Sequence, residues 1–254
     1  MSATLVHKEI QSLANRARAH NLQKFFQTAP GQYGEGDVFL GLTVPQVRSV
    51  AKEYKGISLT DLETLSRSKF HEVRLCALVI LTLKYKSAKT RSEKKKLFDF
   101  YMKAMTGGYI NNWDLVDVTA PIIGEFLIDL DDPYVLLDKL SKSKSLWQRR
   151  VSIVFTFAFI RAGDVEPTLE MAEKLLHDKH DLIHKAVGWA LREAGKLNVM
   201  VLRDFLTAHS HEMPRTMLRY SIEKLPERER KKWLQESKRQ RLALMHSHQS
   251  DQHS

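Results

Sequence analysis

Four segments of the chain share one pattern: an apolar or aromatic start, a basic residue, then a long apolar face at helical spacing. They are Phe70 to Ala77, Leu146 to Ile153, Leu182 to Trp189 and Met213 to Tyr220, and each follows a more polar helical stretch. Their basic residues keep phase: Arg150 to Lys185 is 35 positions, Lys185 to Arg219 is 34, and Arg74 to Arg150 is 76, two units of 38. The copy missing from the long interval falls near position 112, where Asn112-Trp113-Asp114-Leu115-Val116-Asp117 stands.

A two-helix unit of this length predicts an all-α chain, a right-handed helical solenoid of the HEAT kind, although the spacing is short for that class and the tetratricopeptide pattern is missing. The second helices of such an array line one concave surface. Recurring cations would then form a basic stripe there, including Arg74, Arg150, Lys185 and Arg219. We expect a single domain over residues 1–242, with N-terminal helices to residue 56 and the array from 57, and a disordered polar tail over 243–254.

Composition narrows the partners. The 254 residues carry 40 Lys and Arg against 30 Asp and Glu, a formal charge of +10 that favours polyanions. With 43% hydrophobic residues, global disorder is excluded. Cys76 is the only cysteine, so neither an internal disulfide nor a cysteine zinc site is available; it lies in an apolar run and reads as a buried thiol. The longest apolar stretch, Val151 to Ile160, is far short of a membrane span and reads as a core helix. The N-terminus has no signal-peptide pattern, so a reducing cytoplasmic location is expected, with no membrane partner.

Thr4 to Ala29 reads as helical, followed by a turn-rich connection through Pro30-Gly31 and Gly34-Glu35-Gly36-Asp37. Thr43 is a candidate N-cap with Pro45 in the next helix's first turn. Glu227 to Arg241 carries seven basic residues against three acidic ones, and His246, His248 and His253 beyond it are assigned no metal.

Three tryptophans sit one helical turn from a charge. Trp113 precedes Asp117 by four, Trp147 precedes Arg150 by three, and Trp189 has Lys185 four before it and Arg192 three after. A single Trp at helical spacing reads as core, as Trp233 does, but the repeated pairing suits a cationic, planar ligand. Asp114 points a quarter turn from Trp113 and reads as a helix-terminal charge or a hydrogen-bonding group. His71 and His184 read as polar surface or capping residues, and Arg149 as a further phosphate contact or a solvated side chain.

Trp113-Asp114-Leu115-Val116-Asp117, Trp147-Gln148-Arg149-Arg150 and Lys185 to Glu193 resemble the motifs of the DNA alkylation repair family of AlkD-like DNA glycosylases. Gly36-Asp37-Val38-Phe39-Leu40-Gly41 with Pro45 and Arg48 is similar to its N-terminal signature. Together these cover about residues 20 to 225, in the expected order.

The resemblance implies a HEAT-like solenoid cradling duplex DNA and excising cationic alkylpurines such as 3-methyladenine and 7-methylguanine. It makes Asp117 the catalytic carboxylate, Trp113 and Trp189 the lesion-facing aromatics, and Arg150 the phosphate contact. Arg149, Lys185, Arg192, Arg74 and Arg219 complete the expected DNA-binding set. No cofactor is implied, no lysine is placed for strand cleavage, and a monomer is expected. The alternative is a noncatalytic helical scaffold for nucleic acid or a protein partner, which would gain nothing from a carboxylate at Asp117.

Overall fold

The computed structural model describes residues 2–250, with side chains described as far as residue 239. Among the described residues every regular element is a helix, and the only β-type pairing is an isolated bridge between Val38 and Phe70. None of these helices is long and apolar enough to cross a membrane. Tertiary contacts group the chain into two compact units, Met1–Asp129 and Leu130–Ser254, where the sequence suggests one continuous array.

The first unit holds α1 (Ala3–Ser12), α2 (Arg16–Phe25), α3 (Val44–Glu53), α4 (Leu59–Ser66), α5 (His71–Ser87), α6 (Arg91–Thr106) and α7 (Trp113–Ile123), closed by a 3-10 turn over Gly124–Asp129. The helical stretch expected from Thr4 is broken in two. Asn15 interrupts it, accepting from the Arg18 N–H at 2.9 Å to cap α2 while its own N–H donates to Leu40 O at 2.8 Å. Gly41, at φ +88°, lets that loop pass so close to α2 that an added Cβ would stand 2.1 Å from Asn15 O. Thr43 caps α3 as expected, in a reciprocal capping box with Gln46.

Helix α5 is the core of this unit. Its run Leu75 to Leu81 has no polar side, so it needs neighbours all round. It is packed by α1, α3, α4, α6 and α7. Cys76 is fully buried within it, and burial pushes its thiol up to about 12. Polar residues flank that run on both sides, and three at the start of α5, His71, Glu72 and Arg74, are buried too.

The second unit holds α8 (Tyr134–Ser141), α9 (Leu146–Phe155), α10 (Phe157–Ala162), α11 (Glu166–Lys174), α12 (Asp181–Leu197), α13 (Val199–His209), α14 (Arg215–Ser221) and α15 (Glu227–Ser250). The stretch expected as one core helix, Val151 to Ile160, is buried but divided at Thr156, whose hydroxyl donates to Ile153 O at 2.7 Å and accepts from Thr168 at 2.9 Å.

Helix α12 is central, packed by α9, α10, α11, α13 and α14. Gly188 makes the α14 contact possible, since a Cβ there would stand 2.5 Å from Met217 O and from Tyr220 Cβ. Arg203 on α13 grips Glu229 on α15 through two bonds of 2.9 and 3.0 Å. Helix α15 runs to Ser250, over much of the segment expected as a tail; residues 251–254, with His253, lie outside the described residues.

The repeated segments open α5, α9, α12 and α14, and Asn112 to Asp117 opens α7, where the phase places them. The more polar partners α4, α6, α8 and α11 each pack on the helix that follows.

Candidate functional site

In the first unit, α7 starts at Trp113. Asn112 caps it by accepting from the Trp113 N–H at 2.9 Å. The indole is half-buried, stacked on Phe26 with centroids 5.1 Å apart and planes 12° from parallel, and Phe25, 64% exposed, meets its edge at 6.1 Å. One turn along, Asp117 is partly exposed on the same side of the helix. Burial raises the nearby Tyr101 phenol, and the Asp117 charge adds to that shift.

Beneath this helix start lies a buried set of charges. His71 bonds Asp37 through Nδ1 at 2.9 Å and Asp114 through Nε2 at 2.8 Å. Asp37 also receives the Arg74 guanidinium and the Asn112 amide, the latter at 3.0 Å. Burial opposes charge on both groups. On Asp37 the hydrogen bond from His71 and the charge of Arg74 win and hold the carboxyl at about 2. On His71 the charge and hydrogen bond of Asp114, with those of Asp37, lift the ring to about 9. Glu72 is spent on the backbone, accepting from the N–H groups of Leu40, Gly41 and Leu42 at 2.9, 2.7 and 3.2 Å.

The second unit carries the remaining candidates on α9, α12 and α14. Arg150 is buried and one guanidinium nitrogen donates to Leu182 O at the start of α12. Arg149 pairs with Asp178 at 2.6 Å and donates to Ser143 O at 3.0 Å. Lys185 pairs with Asp181 at 2.8 Å, and Arg192 bonds Glu193 at 3.2 Å as well as Glu223. Trp189 is half-buried against Phe157, centroids 4.3 Å apart. Arg219 is exposed, with no ion pair among the described residues.

These positions revise parts of the sequence reading. His71 is not a surface or capping residue: it is 1% exposed and bonded on both ring nitrogens. His184 instead bonds Asp178 O at 2.5 Å, and the cap of α12 is His180, which accepts from Leu182 N–H. Arg74 does not stand on an open stripe. It is buried against Asp37, Asn111 and Ser68 O, because three acceptors there compensate the cost of removing its charge from water. Arg149, Lys185 and Arg192 are partly neutralised by acids of their own surface, which a count of cations cannot show. Asp114 does form hydrogen bonds, to His71 and to the Leu115 N–H at 2.9 Å. Sequence reasoning gave no role to Phe25, Phe26, Glu72 or Asn112. Only Asp37 carried a signal, as part of the Gly36 to Gly41 signature.

A family model described as DNA alkylation repair enzyme matches residues 6–225. Among solved structures, a chain from Enterococcus faecalis described as a predicted DNA alkylation repair enzyme has a similar fold, with a TM-score of 0.66 at 15% sequence identity over 84% of this chain and 97% of that one. Comparison with curated proteins finds no match.

Proposed function

The chain belongs to the family of DNA alkylation repair enzymes, and we propose that within it this protein is a monofunctional DNA glycosylase that removes cationic alkylpurines, such as 3-methyladenine and 7-methylguanine, from duplex DNA. The observation that carries this reading is the start of α7, where a half-buried tryptophan and a partly exposed carboxylate one turn away share a helix side tied to a buried ionic cluster.

Alkylation at N3 or N7 leaves the base positively charged and ready to depart, so little general-acid help is needed. As the glycosidic bond breaks, its electron pair goes to the base and neutralises it, while positive charge develops on the deoxyribose. Asp117 stabilises that charge by standing fixed beside it, and orients the water whose oxygen bonds to the sugar carbon. The proton of that water passes to the carboxylate or to solvent, leaving a free base and an abasic site. Trp113 presents a negative ring face to the cationic nucleoside, worth about 0.5–2 kcal/mol, and Trp189 acts in the same way.

Arg150 contacts a phosphate of the duplex without reading sequence, and Arg149, Lys185, Arg192 and Arg219 add charge around it. Such contacts require the buried Arg150 to turn outward and Lys185 and Arg192 to exchange their acidic partners for phosphate, and the counterions released from the DNA make the binding weaken with salt. We propose a monomer acting in the cytoplasm on duplex DNA without a cofactor. Release of free methylated base from methylated duplex by the purified protein, and its loss in Asp117→Asn, tests this function.

A further inference from the structure

We propose that His71 is a positioning residue for excision: protonated on both ring nitrogens, it clamps Asp114 of α7 to Asp37 and so sets how Trp113 and Asp117 are presented. This role rests on the glycosylase reading above.

The protonation state follows from which groups can donate. Every other side-chain partner of Asp37 is a donor: Arg74 and Asn111 reach Oδ1, while Asn112 reaches Oδ2, the oxygen that also faces the His71 ring. A carboxylate so placed is ionised, and Nδ1 of His71 must bring a proton to it. Asp114 sits in the first turn of α7, where the helix dipole favours an anion, and its Oδ1 already accepts from the Leu115 N–H. Its Oδ2 therefore accepts from Nε2 as well. Two carboxylates against one imidazolium and the Arg74 guanidinium leave the cluster with no net charge, and Glu72, next on α5, is turned to backbone N–H groups.

The clamp reaches Trp113 by two routes. Through the backbone, Asp114 is the next residue, and Asn112 holds the Trp113 N–H while donating to Asp37. Through the rings, His71 stacks on Phe39 at 4.3 Å, Phe39 on Phe26 at 4.8 Å, and Phe26 on Trp113 at 5.1 Å. Loss of one ring proton leaves a nitrogen lone pair facing a carboxylate oxygen within 2.9 Å. That contact is repulsive, and the first turn of α7 is then released.

Single-turnover excision of 7-methylguanine and duplex affinity, measured with the full chain from about pH 6 to about pH 10, test the role. The wild type should lose rate as pH passes about 9. His71→Gln, which cannot donate to both carboxylates, should excise about tenfold or more slowly at neutral pH, bind within about threefold, and lack the alkaline fall. Asp114→Asn should move that fall toward neutrality by about one pH unit or more, because one of the two anions sustaining the ring's charge is gone. A purely structural role would lower the rate without moving the pH profile; equal rates and identical profiles in all three proteins overturn the proposal.

If the wild type excises nothing, the glycosylase reading fails separately, and the nitrogen-15 spectrum of the ring at about pH 8 then decides the clamp. Two protonated nitrogens support it, and a neutral tautomer overturns it. The wild-type spectrum and Asp114→Asn serve equally if His71→Gln does not fold.

Discussion

The indole of Trp113 is stacked on the ring of Phe26, their planes 12° from parallel and their centroids 5.1 Å apart. One face of the tryptophan is thus committed to the protein. Phe26 is also stacked on Phe39 and meets Phe25 and His71 at steeper angles, so replacing it with leucine removes two stacked contacts among four ring contacts at a position only 6% exposed. Phe26→Leu should cost about 1–3 kcal/mol, from pair energies of about 0.5–1.5 kcal/mol each, and lower the thermal midpoint. An unchanged midpoint would show that the stack contributes nothing to stability.

The buried ionic cluster gives a pH dependence of definite sign. His71 is raised from 6.5 to about 9, so its contribution is complete below about pH 6.5 and is lost as pH rises through about 9. Asp37 is lowered from 3.8 to about 2, so its contribution is present above about pH 4 and is lost as pH falls through about 2. Thermal midpoints followed by circular dichroism should fall between about pH 8 and about pH 10 in the wild type and stay flatter in His71→Gln. The same alkaline fall in both would remove His71 from the account.

Gly188 should not tolerate a side chain. The Cβ of Gly188→Ala would meet the backbone oxygen of Met217 at 2.5 Å, and a backbone atom at a helix crossing cannot rotate away. A loss of about 1–3 kcal/mol is expected, the ordinary cost of overpacking, read by denaturant titration. An unaffected variant would mean that α12 and α14 separate easily.

Arg150 tests the phosphate contact. Arg150→Ala should weaken duplex binding to all sequences alike and reduce the salt slope of the binding constant by about 1. Because the residue also donates to Leu182 O, some stability is expected to go with it. An unaltered salt slope would leave Arg150 as an anchor of α12 alone.

The sequence made the helices legible because their signals are local. Apolar spacing marked the second helices at α5, α7, α9, α12 and α14, and the Thr43 cap needed only Pro45 and a following apolar face. The buried cluster was illegible because its partners are distant in the chain: His71 is 34 positions from Asp37 and 43 from Asp114. Arg74 misled for the same reason, since at one phase nothing local distinguishes a buried cation, as Arg74 and Arg150 are, from an exposed one such as Arg219. Where α9 gives way to α10, Thr156 accepts from a Thr168 hydroxyl twelve residues beyond it. Trp113 and Asp117 were readable as a pair because one helical turn joins them.

The most direct test of the central claim is release of free methylated base from methylated duplex DNA by the wild type and by Asp117→Asn, with duplex affinity measured on both. The account predicts release by the wild type, a loss of about 10²–10³ in the variant, and affinity retained in both. Release by the variant within a few-fold of the wild type would contradict the role given to Asp117. Binding without release by either protein would contradict the glycosylase itself and favour a noncatalytic helical scaffold.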